Sequence, residues 1–507
     1  FMFHENLHEL KYYGTLPGFV NVNQKSRLQE TFMAKDKSLH ELFFDAMSFT
    51  PQQRYERPCM IPHLNNKGEW ISPYNLTARK MAVHKPALDQ KLLNYIIDEL
   101  TLHIVTNLHK RGVNHWNPVD MDKAINGIPE DAFFRRVNAT TAAGYGLKGK
   151  KGDHIPIVEE KDGSVTREPT EELKQRLHEQ LQRYLDGENN MFVYNASLKD
   201  EARLAEKVAA GKTRVFYASP LDALILSRMY LSPFYTSMVE SSYIYCTAVG
   251  INMHMEASRI YDELKLHSDL IMEGDYGNYD LGMPFEIGHA ACSVIYRVCK
   301  LMGYNDEAMK IVQGLLTDSL FPLVNMLQEL FCSPGLQPSG KYATAEDNGL
   351  RGLILLMYAF YTLHGTKVSF FHVNKPFTYG DDLVNAVLAA YKDTWNNVIY
   401  SEFVEKNYGM TFTPASKSGE LKPFVTLDTM SFLKRTFSWH ERLGRIVGKL
   451  EMDSIFRSLQ WTIPSKFENP ETQFLSTGNS AMRELYFHSN ERDYEKFRQG
   501  FCQAYST

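Results

Sequence analysis

The stretch TYGDDLVNA, Thr378 to Ala386, sets two aspartates side by side behind a glycine, within apolar and aromatic sequence. Few backbones accept this. Gly380 offers a positive φ, and Asp381 has a side chain that hydrogen-bonds its own backbone, so the pair reads as a tight hairpin turn. Taken alone, that is ordinary turn chemistry. The doubled charge adds a second condition, because adjacent carboxylates repel unless something cancels them. A hairpin tip that holds a hard cation through oxygen ligands would cancel them. It would also need a partner carboxylate elsewhere in the chain.

The remaining sequence bounds the setting. At 507 residues the chain can bury large cores, and length alone predicts roughly two to four domains. A net charge of −5 and a pI near 6.4 exclude a globally basic nucleic-acid binder, so any such contact must come from local basic patches. Six cysteines form no CxxC pair and no disulfide framework, which points to a reducing compartment without a zinc site. The longest apolar run, Gly352 to Leu363, is shorter than the ~20 residues of a membrane span. The start, FMFHENLHEL, lacks signal-peptide character and an initiator Met, and release from a longer precursor is one expectation for it.

Patterning predicts a mixed α and β chain, with strands in the middle and helices at both ends. KPALDQKLLNYIIDELTLHIV and EPTEELKQRLHEQLQRYL carry helical spacing. LIMEGDYGNYD reads as a buried strand running into a turn, and Ala345 to Leu363 as a long helix closed by Gly365. After about Trp439 the pattern reads as helical and polar.

Two nucleotide-binding motifs fail. GYGLKG, Gly144 to Gly149, matches GxGxxG but lacks the preceding strand and following helix. AAGKT, Ala209 to Thr213, ends like a Walker A loop, yet Glu206 stands where the first glycine belongs and would repel phosphate.

The partner for Asp381 appears in EGDYGNYDLG, where Asp275 ends an apolar strand and Asp280 follows. Either one alone is a fair turn residue. Between the two acidic stretches, PSGKYATAEDN sets Ser339, Gly340, Thr344 and Asn348 around a loop entering a helix. Thr344 and Asn348 share a helix face, as capping residues at a helix start also would. The order decides. D-x4-D, SG-x3-T-x3-N, YGDD, TPASKS and FLKR resemble motifs A to E of the picornavirus-like RNA-dependent RNA polymerases. Upstream, KDEARLAEKVAAGKTR resembles motif F and TAAGY motif G, while KSRLQET is similar to a finger segment of the family. The resemblance runs from about Lys25 to Arg435 and points to the insect-infecting picorna-like branch. Ala142 and Gly146 depart from the Ser and Pro of the family's motif G.

That resemblance implies a closed right hand whose palm is an antiparallel sheet backed by helices. Fingers would take 1–232 and 284–333, palm 233–283 and 334–440, and thumb 441–507, short for a family thumb. It implies template-directed RNA synthesis from ribonucleoside triphosphates with Mg²⁺, for which Mn²⁺ can substitute. Asp275 and Asp381 would bridge the metal ions, aided by the Tyr276 carbonyl and Asp382. Two ions ~3.5–4 Å apart suit nucleotidyl transfer, because they clamp both oxygens of the in-line displacement. Lys417 would be the acid that protonates pyrophosphate. Lys199, Arg203, Lys207, Lys212 and Arg214 would meet the nucleotide phosphates, although solvated charge is the plainer reading for Lys207 beside Glu206. Asp280, Ser339, Gly340, Thr344 and Asn348 would surround the ribose. Thr141, Gly144, Tyr145, Leu433, Lys434 and Arg435 would contact template or primer. Implied partners are template and nascent RNA and a genome-linked protein primer, in host cytoplasm at membrane-associated replication complexes. A reverse transcriptase and a non-catalytic RNA-binding scaffold are the alternatives.

Overall fold

A computed structural model describes residues 10–18, 24–416, 419–488 and 490–505. In the central helix Thr344–His364 every residue from Asp347 to Tyr361 is buried, and the stretch from Gly352 to Tyr361 is apolar all round. Gly365, at φ +72°, ends it as expected. On it rests a four-stranded antiparallel sheet in the order Asn374–Tyr379, Asp382–Val387, Ile271–Gly277, Thr411–Thr413. Helices Ala257–His267 and Asn397–Tyr408 also pack against this sheet.

A five-stranded sheet lies beside it, in the order Lys11–Thr15, Glu329–Cys332, Leu323–Met326, Val193–Leu198, Val215–Ala218. The two periodic segments form helices Gln90–Lys110 and Glu171–Leu185, capped by the side chains of Asp89 and Thr170.

Two expectations are corrected. Arg435–His440 and Arg445–Leu450 form a β-hairpin where helix was expected after Trp439; helices begin only at Met452–Gln460. The helix at Thr344 has no side-chain cap, because its N-cap is Ala343 in the left-handed region, at φ 54° and ψ 37°.

The two ends of the chain share one core. Met33, Leu39 and Phe43 pack with Ile455, Leu459, Phe474, Leu485, Phe497 and Phe501. Gln29–Glu30 pairs with Trp461–Thr462 as a short antiparallel ladder, and the Arg57 guanidinium stacks over Trp461.

Candidate active site

The doubled aspartate forms the hairpin its sequence predicts. Tyr379 pairs with Asp382, which leaves Gly380 and Asp381 as a two-residue turn. Gly380 takes φ +58°, and glycine at the first turn position is what a II′ turn requires. Asp381 therefore stands exposed at the tip. Asp382 pairs directly opposite Asp275 on the neighbouring strand, a spacing that brings cross-strand side chains to ~4.5–5.5 Å between Cβ atoms. Asp275 is followed by two further strand residues, so it lies inside the strand and not at its end.

An aromatic floor supports these carboxylates. The Tyr276 and Tyr400 hydroxyls share a 2.5 Å hydrogen bond, and Tyr400 stacks on Phe412. A Cβ at Gly274 would meet the Phe412 ring at 2.4 Å, so only glycine lets the ring lie against the strand. Among the described residues, no three His, Cys, Asp or Glu side chains gather into a metal cage. Mg²⁺ is bound through one or two carboxylates plus substrate phosphates and waters, so a pair of facing aspartates with a third at the tip is a fitting donor set.

Glu273, two residues before Asp275 and on the same strand face, is buried and accepts the N–H of Ser431. Burial pushes its carboxyl up to about 7; the Ser431 N–H opposes this and the Asp275 charge reinforces it. Between the unfolded value of ~4.3 and the folded value, the native protein holds a proton that the unfolded chain has lost. Stability should therefore fall by about 1.4 kcal/mol for each pH unit climbed through that window, and level off above it. In Glu273→Gln, melting measured from pH 5 to 7 should lose this slope. A slope equal to the parent's would show that Glu273 does not titrate there.

A cavity of about 850 Å³ opens before the hairpin. Lys199, Arg203, Lys207, Lys212 and Arg214 all line it. Their regular spacing is not one helix. Lys199 follows the strand Val193–Leu198, Arg203 is on the short strand Arg203–Leu204, Lys207 is on the helix Ala205–Ala209, and Arg214 precedes the strand Val215–Ala218. The Lys199 N–H donates to the Arg214 carbonyl at 2.9 Å, which extends the ladder and brings these two together. Glu201 lies among them, 3.3 Å from Lys199, 3.5 Å from Arg214 and 3.9 Å from Arg203. Lys80, from the helix Pro73–Met81, also lines the cavity, and burial followed by the Lys212 and Arg203 charges lowers its pKa. Sequence reasoning missed Lys80, which sits on an amphipathic helix without a motif.

Tyr276, Asp280, Ser339, Thr344, Asn348 and Asp381 line the same cavity. Asn348 donates to the Asp280 carboxylate at 2.8 Å, while its own Oδ1 is buried without a hydrogen-bond partner among the described residues. The buried Tyr217 hydroxyl, which also lines the cavity, has none there either. Such orphaned atoms cost about 1–3 kcal/mol each, a cost that a hydroxyl-bearing ligand would relieve. Burial pushes Asp280 up to about 6, against the Asn348 hydrogen bond and with help from the Asp381 charge. The Ser339 hydroxyl accepts the Tyr217 N–H at 3.4 Å, and a Cβ at Gly340 would come within 2.2 Å of the Tyr217 carbonyl. Gly340 thus acts through close approach. The Thr344 hydroxyl is turned onto the Lys341 and Pro338 carbonyls, so it braces the loop.

The other expected residues lie apart from this cavity. Thr141 takes a hydrogen bond from Lys151, and Gly144 lies against Pro220, where a Cβ would meet backbone at 2.5 Å. Tyr145 is exposed beside them. Leu433 and Lys434 form a tight turn with both φ values near +55°, strained for side-chain-bearing residues. Arg435, expected at template or primer, is engaged within the protein. Its guanidinium forms a bidentate pair with Glu484 at 2.7 and 2.8 Å and also holds the Gly448 carbonyl. Lys417 lies outside the described residues.

Comparison with known proteins shows the family of the chain. The family described as viral RNA-dependent RNA polymerase matches residues 71–505. The replicase polyprotein of Cricket paralysis virus is 26% identical over 457 residues, covering 85% of this chain and 25% of the polyprotein. The replication polyprotein of Nora virus is 27% identical over 416 residues, covering 77% and 19%. The replicase polyprotein of Drosophila C virus is 26% identical over 459 residues, covering 86% and 26%. The chain thus spans about a quarter or less of these relatives. Among solved structures, the Sicinivirus 3Dpol RNA dependent RNA polymerase superposes with a TM-score of 0.76 at 19% identity, over 98% of this chain and 95% of that one. The shared fold is the right hand. With the family match covering most of its length, the chain belongs to the viral RNA-dependent RNA polymerases.

Proposed function

We propose that this chain carries out template-directed RNA synthesis from ribonucleoside triphosphates, replicating the positive-strand genome of a picorna-like virus. One observation carries the reading: a single cavity is lined by five motif cations together with Asp381, Asp280 and Asn348. In this reading 1–232 and 284–333 are fingers, 233–283 and 334–440 palm, and 441–507 thumb.

Asp275, Asp381 and Asp382, with the Tyr276 carbonyl, would hold Mg²⁺ or Mn²⁺, which when bound activates the attacking hydroxyl and stabilises the leaving pyrophosphate. Lys199, Arg203, Lys207, Lys212 and Arg214 bind and orient the triphosphate; guanidinium forks match phosphate oxygens. Glu201, lying among Lys199, Arg203 and Arg214, keeps these cations gathered before substrate arrives. Asp280, Asn348 and Ser339 receive the ribose, and Gly340 lets their loop approach Tyr217. Thr141, Gly144 and Tyr145 guide the template, and the Leu433–Lys434 turn supports the primer. Lys417 donates the proton to pyrophosphate, a role resting on family likeness alone.

Partners are RNA, ribonucleotides and a genome-linked protein primer. Release from a viral polyprotein and work at membrane-associated complexes in host cytoplasm complete the proposal. Among the described residues no helix is long and apolar enough to cross a membrane.

Primer extension on a homopolymer RNA template tests the reading. Ribonucleotide extension dependent on Mg²⁺ is expected. Preferential use of deoxynucleotides would identify a reverse transcriptase instead. RNA binding without extension would leave a non-catalytic scaffold.

A further inference from the structure

The loop that carries Ser339 and Gly340 rests on a buried ion cluster. Asp347, in the first turn of the Thr344–His364 helix, is 1% exposed. One of its oxygens accepts from Gln337 at 2.6 Å, Arg351 at 3.0 Å and Lys341 at 3.2 Å. The other accepts the Tyr235 hydroxyl at 3.3 Å. Burial opposes ionisation of Asp347, but the Lys341 and Arg351 charges outweigh it and hold the carboxyl well below the usual range. Lys341 also donates to the Ser319 hydroxyl at 3.1 Å, and Arg351 to the Gly335 carbonyl at 3.1 Å.

These bonds grip the loop on both flanks of Ser339: at Gly335 and Gln337 before it and at Lys341 after it. They add to the Thr344 hydroxyl, which holds the Pro338 and Lys341 carbonyls. The helix that follows lacks a side-chain cap, and Ala343 sits in a left-handed conformation that costs a non-glycine residue about 1–3 kcal/mol. Something must hold that turn in place. Two cations against one carboxylate are also an expensive choice in an interior, where an apolar filling serves stability as well or better. Such a cluster is better explained by the geometry it fixes than by the stability it adds.

We propose that Lys341, with Asp347 and Arg351, is a positioning residue for the incoming nucleotide. The cluster fixes the loop so that Ser339 and Gly340 stay against Tyr217 at the ribose side of the cavity. This rests on the proposed nucleotide role of that cavity. Asn348 follows Asp347 directly, and the Gln337 N–H donates to the Asp280 carbonyl at 3.1 Å, so one cluster sets the loop and both members of the ribose pair.

The test compares Lys341→Met, which keeps the apolar stem and removes the charge, with Lys341→Arg and Ser339→Ala. A displaced loop costs orientation, and small misplacements of this kind reach up to about a hundredfold in rate. In Lys341→Met, KM for ribonucleotides should rise about tenfold. The ribo-to-deoxy ratio of kcat/KM should fall and RNA affinity should stay at the parent value. Lys341→Arg should recover most of the loss. A folded Lys341→Met with parent KM and ratio overturns the proposal. Should Lys341→Met lose its cooperative melting, Ser319→Ala takes its place. It removes one anchor of the lysine and should shift KM and the ratio in the same direction by a smaller factor; parent values there also overturn the proposal. Ser339→Ala separates the two levels. If it behaves as the parent, the nucleotide reading of the loop fails; if it is impaired while Lys341→Met is not, only the role of the cluster fails.

Discussion

Asp381→Asn and Asp275→Asn should each give a folded protein with no measurable RNA synthesis. Each change keeps the shape of the side chain and removes one charge from the cation-holding set. Metal ions that stabilise transition-state charge contribute several kcal/mol, so the loss should reach roughly a thousandfold or more. The fold has no comparable stake. Asp381 is exposed on a turn whose conformation depends on Gly380. Asp275 faces Asp382 across the ladder, and like charges directly opposite are destabilising. Asp275→Asn relieves that repulsion. Primer extension with Mg²⁺, run beside thermal melting, decides the matter. Near-parent extension by either variant would remove that aspartate from the metal set. A large fall in melting temperature would mean that the lost activity reports unfolding.

The second large effect concerns the sugar. Asn348→Ala and Asp280→Ala should depress ribonucleotide incorporation far more than deoxynucleotide incorporation. The two side chains are joined by a 2.8 Å hydrogen bond, and Asn348 retains a buried oxygen without a partner among the described residues. A ribose 2′-hydroxyl can donate to such an oxygen, whereas a deoxyribose leaves it orphaned. At about 1–3 kcal/mol per buried polar group, the expected discrimination is roughly 5- to 150-fold. Steady-state kcat/KM for both sugars in each variant gives the answer. If the two values fall together and their ratio holds, selection of the sugar lies elsewhere.

Some of this architecture was legible in the residues themselves. Gly380 has a conformational signature, so the hairpin and its exposed Asp381 follow from local chemistry. Within the expected helix Ala345–Leu363, the run from Gly352 onward is almost wholly apolar, and a buried helix accommodates that. Other parts were illegible because their cause is distant in sequence. Arg435 meets Glu484 from a helix some fifty positions later, and nothing in FLKR announces it. The hairpin at 435–450 buries mainly Phe437, Val447 and Gly448, so its strands show too weak an alternation to be told from a polar helix. Lys80 joins the basic wall only because its helix packs near Lys212. Lys341 and Asp347 look like solvated charges in PSGKYATAEDN; burial by surrounding elements makes them a cluster.

The core shared by the two chain ends has a mechanical consequence. Segments near residues 29–47 and 455–501 interlock, so a strand passing inside their contact would run through a hoop and not along an open groove. A strand threaded through a hoop escapes by running off its own end or by waiting for the clasp to part. Each buried phenylalanine or leucine in the clasp resists parting by about 1.5–3 kcal/mol. Salt weakens the capture of a loose strand, since capture depends on charge, but barely touches an apolar clasp. Once engaged, such an enzyme would stay on its strand through ionic strengths that prevent it from engaging at all.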